Sequence, residues 1–117
     1  MTRSIQATGH NSGLANERFY MIAVINSLPV KEGAAGQIVE RFANSRGSVQ
    51  GFPGFVSMEV LNSEAGDEVL VITRWRDKAA FDSWVQSDAF KAAHGRGGGG
   101  LLRGHPQMGT YEVSVTR

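Results

Sequence analysis

Three side chains combine useful chemistry with a position at the end of a regular element: Asn26, Trp75 and His94. Packing pattern alone explains none of them. Neutral imidazole is a good iron ligand, and a histidine at a helix end beside a flexible loop can present one ring nitrogen to a large planar cofactor. A primary amide can donate to an oxygen ligand that gains negative charge on ferrous iron. Indole supplies a rigid flat wall. The three together read as a haem site, and a plainer reading stands beside it. A histidine in a last helical turn often serves the macrodipole and the free carbonyls, a strand tryptophan is usually core, and Asn26 can serve its strand's end near Pro29.

The elements that position these residues meet in Val69 to His94. Val69, Val71, Thr73 and Trp75 alternate with Leu70, Ile72, Arg74 and Arg76, the period of a strand, so Trp75 ends a row facing one way. Asp77 then suits a helix cap, and Phe81, Trp84 and Val85 form an apolar stripe at i, i+3, i+4. The stripe breaks at Ser87-Asp88, which can cap a second short helical segment with Phe90 and His94 on one face. Gly95 follows at once and suits the residue that closes a helix.

Earlier in the chain, Phe19 to Leu28 is apolar on both alternating rows except at Asn26, as in a strand buried on both faces. After Pro29, Ala35, Ile38, Val39 and Phe42 mark a helix running to about Arg46. Phe55 to Leu61 is a second strand, Asn62 to Asp67 a hairpin loop, and Gly95 to Gly109 a glycine-rich run expected to be a mobile loop. Thr110 to Thr116 is expected to close the chain as a strand with Tyr111, Val113 and Val115 inward. The order βαββαβ is the split βαβ arrangement, an α+β fold with a four-stranded antiparallel sheet and helices on one face. The second face would leave a large apolar patch on a single copy, so a homodimer closing its two sheets into an α+β barrel is expected.

A chain of 117 residues makes one domain, here residues 18–117 behind a loose amino-terminal tail, 1–17. The formal net charge of +1 gives no field for nucleic acid, and the lack of cysteine removes disulfides and thiolate chemistry. With no apolar run of signal or membrane-spanning length, a cytoplasmic protein is expected. Gly95 to Gly100 formally matches the dinucleotide fingerprint but follows a helix where that motif needs a strand. His10, in the tail, and His105, beside Pro106, are expected to be solvated.

From Phe19 to Thr116 the sequence resembles the IsdG-type haem-degrading monooxygenases, a branch of the antibiotic-biosynthesis-monooxygenase (ABM) group of dimeric ferredoxin-like barrels. The stretches that carry the resemblance are Ile25-Asn26, Glu40-Arg41-Phe42, Gly51 to Phe55, Thr73-Arg74-Trp75 and Phe81 to His94. It implies an Asn-Trp-His triad of Asn26, Trp75 and His94. Haem would lie between the second helix and the sheet, with His94 as proximal iron ligand, Trp75 pressing the porphyrin out of plane, Asn26 donating to the distal oxygen ligand and Phe90 beside it. The haem would be its own substrate, oxidised by O2 at a meso carbon with electrons from an outside donor and with release of iron, a route to iron acquisition. Arg96 and Arg103 are expected partners for the propionates. Two other readings are a module that stores haem intact and a cofactor-free ABM monooxygenase acting on a quinol.

Overall fold

Asp77 turns the chain from strand to helix by the expected device. In the computed structural model, which describes residues 20–45, 49–94 and 100–117, with the backbone alone over 92–94, its carboxylate accepts from the Ala80 N–H at 2.9 Å. Ser87 repeats the device one helix later, accepting from the Phe90 N–H at 3.0 Å. The elements are β1 (Ile22–Pro29), α1 (Ala35–Asn44), β2 (Phe55–Asn62), β3 (Glu68–Trp75), α2 (Lys78–Val85), α3 (Asp88–His94) and β4 (Gln107–Glu112). Their sheet is antiparallel throughout, in the order β2-β3-β1-β4. This is the ferredoxin-like arrangement expected, and the boundary expected near residue 18 lies outside the described residues.

Alternation along β1 and β3 decides what each face does. Ile22, Val24 and Leu28 are buried with Val69, Val71 and Trp75 under the helices, while Ala23, Ile25, Leu70 and Ile72 on the other face are only half-buried. In a single chain β1 is therefore buried on one face, and the expectation of two needs a second copy. The core under the helices is in two parts. One gathers Leu28, Val30, Val69 and Val71 under Ala35 and Ile38 of α1, the other Ile22, Val24 and Trp75 under Ala80, Phe81 and Trp84 of α2.

One glycine fixes the seam between the α2 cluster and the loop before β2. Gly54 has φ +87°, and a Cβ there would lie 2.3 Å from the Cβ of Ala80. Its carbonyl accepts from Arg76 N at 2.8 Å. This close approach brings Phe52 and Phe55 against Trp75.

The carboxyl-terminal third differs from expectation. The last strand is Gln107–Glu112, not Thr110 to Thr116, because Gln107 to Glu112 pairs with Ile22 to Ser27 and only a Val113 N–H to Met21 bond extends it. Gly109 is carried inside the strand because the Tyr111 ring covers the space its side chain would fill. Tyr111 and Val115 are exposed, not inward. Much of the expected mobile loop is also tied down: Leu102 bridges to Val30, Lys31 N donates to Leu101 at 2.8 Å and Arg103 N donates to Pro29 at 3.0 Å. Among the described residues, no helix is long and apolar enough to cross a membrane.

Candidate functional site

Asn26 sits where the two halves of the core part. It follows Val24 of the α2 cluster and precedes Leu28 of the α1 cluster on the helix-facing row of β1. Across the sheet it is opposite Val71 of β3 and Met108 of β4. Its Oδ1 is buried and has no hydrogen-bond partner, the single such side-chain atom among the described residues. An amide end enclosed in this way costs about 1–3 kcal/mol. Both ends of an amide bond strongly, so a ligand reaching this point would meet either an acceptor or, after rotation of the amide, a donor.

The other landmark is a stack of aromatic rings. Trp75 is completely enclosed, at 0 % exposure, by Phe52, Phe55, Phe81 and Trp84 at centroid separations of 6.3, 5.6, 5.8 and 6.3 Å, and its indole N–H donates to Thr73 Oγ1 at 3.0 Å. No face of it is left for a ligand. Trp84 is stacked on it at 29° and meets Phe90 of α3 edge-on at 5.8 Å and 89°. The indole that adjoins α3 is thus Trp84. By its stripe Trp84 reads only as core, although its place in the Phe81 to His94 stretch, ten positions before His94, is a signal that it belongs with α3.

His94 is the last residue of α3, as expected, and Phe90 anchors that helix to Trp84. The Ser87 hydroxyl, which accepts from Phe90 N, donates to the Trp84 carbonyl at 2.6 Å, so α2 and α3 are locked at their junction. Asn26, Phe90 and the Trp84 ring lie on the helix side of the sheet. Arg103 is placed elsewhere. Its guanidinium donates to the Asp67 carbonyl at 3.3 Å and lines a hollow of about 410 Å³ beside Glu32 and Gly33 ahead of α1 and Gly36 in its first turn. That is the Pro29–Glu68 end of the sheet, whereas the indoles gather at the Ile22–Trp75 end. Arg96 and His10 lie outside the described residues, and His105 is exposed.

Residues 21–96 match the model of the family described as antibiotic biosynthesis monooxygenase. A heme-degrading monooxygenase of Bacillus thuringiensis is 43 % identical over 82 residues, covering 68 % of this chain and 76 % of that one. Among solved structures, a putative antibiotic biosynthesis monooxygenase from Bacillus cereus superposes with a TM-score of 0.69 at 29 % identity over 84 % of this chain and 97 % of that one. The heme-degrader MhuD of Mycobacterium tuberculosis, with two hemes bound in its active site, superposes with a TM-score of 0.70 at 26 % identity, covering 82 % and 98 %.

Proposed function

We propose that this chain, which belongs to the antibiotic biosynthesis monooxygenase family, is a haem-degrading monooxygenase. It takes haem between α3 and the sheet, opens the porphyrin at a meso carbon with O2 and electrons from an outside donor, and releases the iron in a reducing cytoplasm. The observation that carries the reading is the orphaned Asn26 Oδ1, a buried polar atom on the helix-facing row of β1, between the two halves of the core. The residues present fit the group. His94 would supply an imidazole to hold the iron, Asn26 would offer its amide to an oxygen ligand, and Phe90 and Trp84 would give the apolar wall that keeps water out. Haem, when bound, supplies both the redox centre and the ring that is oxidised.

Within this reading the flat wall is Trp84 rather than Trp75: both indoles are buried, but Trp84 is the one packed against Phe90 of α3, whereas Trp75 is enclosed by other rings and its N–H is already used. Trp84→Phe is expected to lower turnover per haem-loaded molecule about tenfold or more and, because Trp84 is buried against Phe52, Trp75 and Phe90, to cost about 1–2 kcal/mol of stability as well. Trp75→Phe should cost about 2 kcal/mol, because it removes ring contacts and a hydrogen bond from a filled core, with turnover per loaded molecule unchanged. Melting curves and single-turnover rates on the two variants separate the roles. The opposite pattern would return the wall to Trp75.

The exposed sheet face supports the dimer. Leu61, Leu70, Ile72, Ile25 and Tyr111 lie on it, and its polar groups are partnered: Arg74 pairs with Glu59 at 3.0 Å, and the Ser27 hydroxyl donates to the Glu68 carboxylate. The Arg74–Glu59 pair lowers the cost of burying this face against a second copy.

The test is to load the protein with one equivalent of haemin, add reductant in air with catalase present, and follow the Soret band, with sedimentation velocity on the same sample. Loss of the band with release of chelatable iron and a two-chain species is expected. A Soret band that persists makes the protein a haem carrier, failure to load points to a cofactor-free oxygenase, and a single-chain species removes the dimer.

A further inference from the structure

The helices cover the sheet unevenly. They pack over β1, β2 and β3, and the row through Asn26 is closed on the β3 side, where Val71 is buried under α1 together with Val60 of β2. On the β4 side the row is open. Met108 stands directly opposite Asn26 in the β1–β4 ladder, on the same helix-facing side, and is 59 % exposed, with Thr110 and Glu112 exposed after it. Directly paired residues in an antiparallel ladder hold their Cβ atoms about 5 Å apart. Strands are spaced by about 4.8 Å, so a planar ring wider than one spacing that rests over Asn26 overhangs a neighbouring strand. Since β3 is filled, that strand is β4.

We infer that Met108 is a ligand-contacting residue of the haem site, forming its β4 flank, and that the site receives the porphyrin from this side. The inference rests on the haem reading and adds to it a residue and a direction of entry. Methionine suits the place. Its unbranched thioether is polarisable and adaptable, makes favourable contact with aromatic rings, and leaves no polar group beneath the macrocycle. An exposed methionine on a β-strand has little to do in folding, so the side chain is free for this contact.

Oxidative footprinting with zinc protoporphyrin as the probe tests the inference, since zinc does not cycle with peroxide. Hydrogen peroxide transfers one oxygen to an accessible thioether, giving the sulfoxide, and leaves as water. Without porphyrin, Met108 is expected to oxidise faster than Met21, which is 37 % exposed on the opposite face. At saturating porphyrin the Met108 rate should fall at least about tenfold, with Met21 unchanged, as read by mass spectrometry of the peptides. In parallel, Met108→Ala should weaken zinc protoporphyrin binding about fivefold to tenfold and leave the melting temperature unmoved. Porphyrin that binds, by its Soret shift, with Met108 unprotected and Met108→Ala binding like the parent overturns the inference and spares the haem reading. Porphyrin that does not bind overturns both.

Discussion

Replacement of His94 by alanine is expected to abolish haem turnover and to weaken haemin binding by at least about a hundredfold, the scale seen when even the outer partners of a metal ligand are removed. The argument begins with how firmly the position is held. Ser87 caps α3, the same hydroxyl ties it to the end of α2, and Phe90 is packed against Trp84, so the start and the packing of the seven-residue helix are fixed independently of His94. Alanine is the best helix former, and the variant should therefore fold like the parent. What it loses is the imidazole. Its Soret band should resemble that of free haemin, and added imidazole should restore part of the shift, which distinguishes a lost ligand from a damaged fold. If His94 is there only for the free carbonyls of the helix end, the variant will degrade haem at the parental rate, and the proximal assignment falls.

The strands and helices that carry these residues were legible because each is declared locally. Alternation from Val69 to Trp75, the caps at Asp77 and Ser87, and the Phe81-Trp84-Val85 stripe all depend on neighbours within a few positions. Long-range pairing was not legible. Gly109 looked like loop because nothing in a glycine-rich run announces that Tyr111 will cover it or that Ile25 lies across from it. The same limit hides how Trp75 is packed. Alternation correctly put Trp75 on the helix-facing row, but a row cannot say whether a ring faces a ligand or four other rings. Asn26 was the favourable case, since a lone amide on an apolar row signals an unmet hydrogen bond in the sequence itself, and the enclosed Oδ1 is that unmet bond.

Asn26→Leu is expected to move stability and activity in opposite directions. The substitution keeps the side chain's approximate shape and removes a buried oxygen that no group in the protein satisfies. Its neighbours along and across the sheet on the same face are Val24, Leu28 and Val71, which are buried, and Met108, which is exposed, all of them apolar. Exchanging an unsatisfied amide for a hydrocarbon in such surroundings should stabilise the haem-free protein by about 1–2 kcal/mol, seen as a rise in Tm of roughly 4–10 °C for a domain of this size. Haemin should still bind, because His94 is untouched. Turnover should fall about a hundredfold, the usual consequence of deleting one preoriented hydrogen-bonding group from a reaction site. Calorimetry and single-turnover kinetics on the same preparation give both readings. A Tm at or below the parent's means the amide already has a partner in solution, and undiminished turnover means it has no part in the chemistry. A gain in one with a loss in the other is the pattern of a residue kept for function at the expense of the fold.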